Sequence, residues 1–351
     1  MISEGLQQFL LRRSGGRKET VSRICEALKC LRPVTNRGSV RRLFLLACFS
    51  ESDEPSGGHK MLYRHVDVLN SHGYQASAIH ARPGFRYSWF ANRTQITYLE
   101  PGVVTTSDLV VVPETMGPYL GEIAPGCRKV VFNQNCYYTF LNYPLTGSPC
   151  AYEHPDVRAA IVVSQDSEDY LRHVFPKLAV YRIHYSIDTN LFRPAWPKKR
   201  VICCMPRKRR NDLCQVLNIL ACRGALEGVE VAPIENLPER EVAALLGECQ
   251  VFLSTSEDEG FGLPAAEAMA CGCIVVGFHG GGGREFMRPD CAYPVAGGDV
   301  LGFASTVERV LKSDAETLRQ RGEAAATLIR ETYSAERETA DIIRAWERIL
   351  A

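Results

Sequence analysis

Two α/β domains, each a parallel sheet with helices on both faces, are what the pattern of this chain predicts. Short aliphatic or β-branched runs alternate with helix-length amphipathic segments from Leu43 almost to the C-terminus, the runs fall into two series, and a turn-rich stretch divides the series. Alternation of this kind is the mark of βαβ units, in which each parallel strand needs a crossover helix to reach the next. At 351 residues, 46% apolar and 23% charged, the chain can bury two cores, and disordered and fibrous classes are excluded.

The first sheet is expected from Leu43 to Phe49, Gln75 to His80, Leu109 to Val112, Val130 to Asn133 and Ala159 to Val163. The second is expected from Val201 to Met205, Val229 to Ile234, Val251 to Ser254, Cys273 to Phe278 and Ala292 to Val295. Between them, His184 to Lys199 carries Asp188, Asn190, Pro194 and Pro197 and reads as a linker. A helix over His59 to His72 aligns Leu62, Val66 and Leu69 and stops at Gly73. At the far end Ile342, Ile343, Trp346, Ile349 and Leu350 form an apolar stripe that must be buried. The expected division is a basic extension over 1–42, a first doubly wound domain over 43–187, a second over 188–333, and a terminal helix over 334–351 that packs back on the first.

The formal net charge is only +1, which argues against nucleic acid as a partner. Residues 1 to 45 nevertheless hold ten Lys/Arg against three acids, a net of +7, with Val21, Ile24, Leu28 and Leu31 on one amphipathic helix. This helix is expected either to cap the first domain or to bring residues 1–40 onto an anionic membrane surface. No apolar run approaches the ~20 residues of a membrane span, and the N-terminus has no signal-peptide pattern. The fourteen cysteines are scattered, many inside apolar runs, and Cys271 and Cys273 have no second pair or nearby histidine. Packed thiols in a cytoplasmic protein are expected, with peripheral attachment at the inner membrane face left open, and no metal site.

Chemistry concentrates between Ser254 and Gly277. There a strand runs into Glu259-Gly260-Phe261-Gly262-Leu263-Pro264 and on into a helix that carries Glu267. Pro264 suits the first residue of a helix, the glycines let backbone approach a ligand, and the helix N-terminus offers N–H donors to a diphosphate. The segment resembles the signature of glycosyltransferase family 4, a Glu followed eight positions later by a second Glu around E-G-F-G-L-P. The resemblance implies a GT-B architecture, two Rossmann-like domains facing across a cleft. It also implies a retaining transfer of a hexose-type sugar from a nucleotide-diphosphate sugar to a glycan, lipid-linked or other hydroxyl acceptor, with no cofactor beyond the donor.

By the same resemblance Glu259 lies beside the reacting anomeric carbon and Glu267 binds the ribose, while Gly260, Phe261, Gly262 and Leu263 hold phosphate and sugar. Arg207 and Lys208, in the Pro206 to Arg210 loop, would neutralise the diphosphate, with Arg207 the firmer of the two because the family's Arg-to-Lys spacing is not reproduced. Gly57 and Gly58 would make room for phosphate and acceptor, and Gly280 to Gly283 with Arg284 and Glu285 resembles the family's glycine-rich turn. Many members carry a histidine near the donor sugar, where this chain reads Asn133-Gln134-Asn135, so Asn135 or Asn133 would replace it. The absence of any Asp-x-Asp triplet points away from a bridging metal. The alternatives are a GT-B epimerase or phosphorylase, or a non-catalytic subunit that binds a sugar nucleotide or glycan.

Overall fold

The computed structural model describes residues 28, 31–35, 42–46, 51–141, 143, 145 and 151–351. Most of the basic segment, and the end of the first strand expected up to Phe49, lie outside the described residues. Two compact α/β units emerge. The first takes the chain up to Val163, then Ser167–Ile183 and Thr339–Ala351; the second takes Ser164–Asp166 and His184–Glu338.

In the first unit the elements run β1 (Leu43–Leu46), α1 (Gly57–Ser71), β2 (Ala76–His80), β3 (Ile96–Tyr98), β4 (Leu109–Pro113), β5 (Arg128–Asn133), β6 (Val157–Val162), α2 (Gln165–Val174) and β7 (Ala179–Arg182). They form a parallel sheet of order β3-β2-β1-β4-β5-β6-β7. Its central strands are buried along their length, as in Leu43–Leu46 and Leu109–Val112, because both faces of a parallel sheet are covered. The two edge strands were not expected from sequence. Ile96–Tyr98 is only half-buried and three residues long, and Ala179–Arg182 has one fully buried position, so neither shows an apolar run. Leu28 and Leu31 are buried in this unit's core, and Val34 bridges to Thr105.

The second unit runs β8 (Lys199–Cys204), α3 (Arg210–Cys222), β9 (Glu230–Pro233), α4 (Glu239–Glu248), β10 (Cys249–Glu259), α5 (Leu263–Ala270), β11 (Ile274–Gly281), β12 (Tyr293–Val295), α6 (Val300–Leu311) and α7 (Ala315–Thr332). All five expected strands are present, in a parallel sheet of order β12-β11-β10-β8-β9. The final helix, α8 (Ala335–Leu350), enters the first unit from Thr339 onward. There Trp346 is fully buried and its indole N–H donates to His65 Nε2 at 2.7 Å. The boundary at Ile183/His184 falls before the expected one after Ile187. Ile187 N–H donates to Tyr333 O at 2.9 Å and Ser186 Oγ to Glu338 Oε2 at 2.7 Å, and these bonds draw the segment into the second unit.

Burial raises the thiol pKa of Cys249, Cys271 and Cys273, as expected of packed, reduced cysteines. Among the described residues no helix is long and apolar enough to cross a membrane.

Candidate active site

Doubly wound sheets bind ligands beyond the carboxyl ends of the strands, where the winding reverses direction. In the second sheet that point lies between β8 and β10. β8 leads into the Pro206 to Arg210 loop, and β10 ends on Glu259. The donor residues expected in this unit therefore lie at the ends of the two strands that flank its reversal point.

Lys208 Nζ lies 2.8 Å from Glu259 Oε1 and donates to Glu257 O at 2.7 Å. Both members of the Lys208–Glu259 pair are about one-fifth exposed on the side chain, enough to be reached by a ligand. Arg209 adopts a left-handed conformation, φ 46°, as the residue before α3. Its guanidinium is committed internally, to Glu257 at 2.8 Å and Asp212 at 2.8 Å, with its centre 5.4 Å from the Phe278 ring centroid. Arg207 is exposed and makes no ion pair among the described residues. Of these cations, Lys208 is the one placed on Glu259.

The loop after Glu259 turns into α5 through Gly262, whose φ of 99° favours glycine. Among the described residues no side chain caps this N-terminus. Leu263 is the first helical residue and Pro264 the second, one position later than the sequence suggested. Phe261 is buried, and Glu267 is half-buried on the second turn.

The glycine-rich turn lies directly on this loop. A β-carbon on Gly280 would come within 2.8 Å of Ser256 Cβ and 3.1 Å of Glu259 Cβ, and one on Gly282 would overlap the Gly260 carbonyl. Gly281 pairs in register with Glu259 across the β10–β11 ladder. His279, not singled out from sequence, accepts the Gly281 N–H on Nδ1 at 3.0 Å. Burial, and then the Arg284 charge, lower its pKa, with Asp166 acting in opposition. Accepting on Nδ1 puts the proton of the neutral imidazole on Nε2. Its place directly before the glycine run was the available signal.

In the first unit the winding reverses between β1 and β4. Helix α1 starts at Gly57 rather than His59, and its N-cap Ser56 makes no side-chain capping bond. A β-carbon on Gly58 would lie 3.3 Å from Gln134 Oε1 and 3.5 Å from Gln134 Nε2. Asn135, by contrast, is buried and its side chain accepts Tyr137 N–H at 3.1 Å, capping the turn Cys136–Tyr138. Asn133 is fully buried, donating to Thr139 Oγ1 at 2.9 Å and to the Tyr152 hydroxyl at 3.0 Å. The amide beside the glycine pair is Gln134, whose own N–H donates to the buried Glu114 carboxylate at 3.2 Å. Sequence reasoning named the outer two of three consecutive amides and passed over Gln134 and Glu114. Orientation at the end of β5 decides between the amides, and no residue type encodes that.

The family model of glycosyl transferases group 1 matches residues 225–328, which span the donor loop and the glycine-rich turn. Over that span the chain is similar to the group 1 glycosyl transferases, and its fold is GT-B. An α-1,6-glucosyltransferase of Actinobacillus pleuropneumoniae serotype 7 is 28% identical over 234 residues, 64% of this chain and 69% of that protein. The MMP α-(1→4)-mannosyltransferase of Mycolicibacterium hassiacum is 35% identical over 118 residues, 33% of this chain and 28% of that protein. Among solved structures, sucrose-phosphate synthase from Thermosynechococcus elongatus superposes with a TM-score of 0.67 at 14% identity, covering 88% of this chain and 99% of that one. Anabaena HepE in complex with UDP and glucose gives 0.62 at 14% identity, with coverage of 88% and 99%. At such identities these two structures speak for the fold of this chain.

Proposed function

We propose that this glycosyltransferase moves a hexose from a UDP-sugar to a hydroxyl of a glycan or lipid-linked acceptor, with retention at the anomeric carbon and without a divalent metal. The observation that carries the reading is the Lys208–Glu259 contact of 2.8 Å, set at the N-terminus of α5. A carboxylate beside a developing oxocarbenium ion and an ammonium beside a departing diphosphate are the two charges that such a transition state needs, and they occupy adjacent positions here. Binding of the donor would place its diphosphate on Lys208, the exposed Arg207 and the N–H groups of Gly262 and Leu263. Glu259 would then face the sugar and Glu267 the ribose hydroxyls.

A frontside departure, in which the leaving phosphate oxygen accepts the acceptor proton, needs no titrating base on the acceptor side. That fits an amide, Gln134 or Asn135, in place of a histidine. The names of the glucosyl- and mannosyltransferase relatives and the UDP and glucose of HepE support a UDP-hexose donor. The missing Asp-x-Asp supports metal independence. With Leu28 and Leu31 buried in the first unit's core, the basic segment over residues 1–40 would cap that unit, and its cations would hold the enzyme against anionic lipid in the cytoplasm, each one near the surface contributing roughly 1 kcal/mol.

The test is turnover of UDP-glucose in excess EDTA by the parent and by Glu259→Gln. The parent should keep its rate, and the variant should lose ~100-fold in kcat, equivalent to ~3 kcal/mol of electrostatic stabilisation. A parent that needs Mg²⁺ or Mn²⁺ would remove the metal-free assignment, and a near-normal Glu259→Gln would remove the role of the carboxylate.

A further inference from the structure

Two glycine-bearing segments make the candidate donor site. A β-carbon on Gly282 would meet the Gly260 carbonyl, and the Phe261 ring packs on Phe286, just beyond the second segment, at 5.3 Å. A residue outside both segments ties them together from behind. Tyr333, at the end of α7, is 2% exposed. Its ring stands edge-on to Phe261, between the two loop glycines, at 5.2 Å and 70°, and edge-on to Phe286 at 5.9 Å and 84°. Its hydroxyl donates to Glu285 Oε1 at 2.6 Å.

Glu285 closes the 3₁₀ turn Gly282–Glu285 and accepts a second bond, on Oε2, from the Gln165 backbone N–H at 2.8 Å, within the same unit. The backbone of Tyr333 is itself fastened, its N–H donating to Ile329 O at 2.8 Å and its carbonyl accepting Ile187 N–H at 2.9 Å. One rigid side chain thus presses the donor loop with its face and edge while it holds the glycine-rich turn with its hydroxyl. The O–H···carboxylate bond is short and charge-assisted, the kind that fixes a distance rather than merely satisfying a donor.

We propose that Tyr333 and Glu285 are positioning residues, a strut that sets the spacing between the Gly260–Gly262 loop and the Gly280–Gly283 turn and thereby the affinity for the donor nucleotide. This inference rests on the donor reading of the loop. Neither residue would touch the reacting atoms. Tyr333→Phe keeps the ring and its packing and removes only the hydroxyl. Glu285→Gln must turn its NH₂ toward one of two donors and so loses one of its two accepted bonds.

In Tyr333→Phe, UDP binding measured by calorimetry should weaken roughly tenfold, the scale of one lost hydrogen bond to a charged group, while kcat at saturating donor falls far less. Combining it with Glu285→Gln should add little to the loss, because both break the same strut. Hydrogen exchange should quicken in Tyr333→Phe at the amides of 260–262 and of 281–283 together. Parent-like UDP affinity, additive losses, or unchanged exchange at both segments would overturn the proposal. A parent that binds no UDP, with exchange still quickened at both segments in the variant, would instead mean that the strut stands and the donor reading fails.

Discussion

The glycine pairs at the N-termini of α1 and α5 read alike in sequence, yet the structure builds them by opposite means. At α5 the close approach at Gly282 is backbone against backbone, where a β-carbon would overlap the Gly260 carbonyl. At α1 the neighbour of Gly58 is the end of the Gln134 side chain, which can move. The difference teaches how much each glycine is required. A glycine held by backbone contacts is demanded by the fold, whereas one held by a flexible amide is demanded only if a ligand comes there.

The largest expected effect is therefore at Gly282. In Gly282→Ala the new methyl would overlap the Gly260 carbonyl and press on Phe261 N, neither of which can rotate away. Destabilisation of ~3 kcal/mol and loss of UDP binding are expected from forced displacement of the donor loop. Thermal unfolding with and without UDP measures both, and a parent-like melting point with parent-like affinity would break the comparison at its stronger end.

The first unit has its own sensitivity, one helical turn or two beyond its glycines. His65 on α1 accepts the Trp346 indole N–H on Nε2, and among the described residues its buried Nδ1 has no partner. Burial holds its pKa down at about 3. Below pH ~6.5 the unfolded state gains a proton that the folded state refuses, so stability falls as pH drops toward 3, by up to about 1.4 kcal/mol per pH unit from this group. His65→Gln keeps an acceptor for the indole without titrating, and should show a shallower acid dependence of urea unfolding between pH 6.5 and 4.5. Equal slopes for parent and variant would show that the docking of α8 does not depend on a neutral His65.

The smallest effect is expected at Gly58. Gly58→Ala requires Gln134 to shift by only a few tenths of an ångström, and alanine is favoured over glycine in a helix by up to ~1 kcal/mol. The unfolding midpoint in urea should move by less than ~1 kcal/mol equivalent in either direction. A loss as large as that at Gly282 would mean that the two glycine pairs are the same device after all.

Legibility from sequence followed the same line. The donor loop was readable because Gly260, Gly262 and Pro264 are residue types that a close backbone approach and a first helical turn select. The central strands of both sheets were readable because burial on both faces makes continuous apolar runs, and the second sheet's edges, Glu230–Pro233 and Tyr293–Val295, were read from short β-branched or aliphatic runs although they are only partly buried. The edge strands Ile96–Tyr98 and Ala179–Arg182 were not, since an edge needs little burial and shows little pattern.

What the sequence by itself determined is the α/β class, the two series of strands and the chemistry of the Glu259 to Glu267 segment, all properties of local pattern and residue type. Only the tertiary structure decided that Lys208 rather than Arg207 meets Glu259, that Gln134 rather than Asn135 meets Gly58, and that Tyr333 joins the two glycine segments. These are choices among neighbouring residues of similar chemistry, or between positions far apart in the chain. They turn on which way a side chain points once the strands are in register, and that orientation is set by packing against elements remote in sequence.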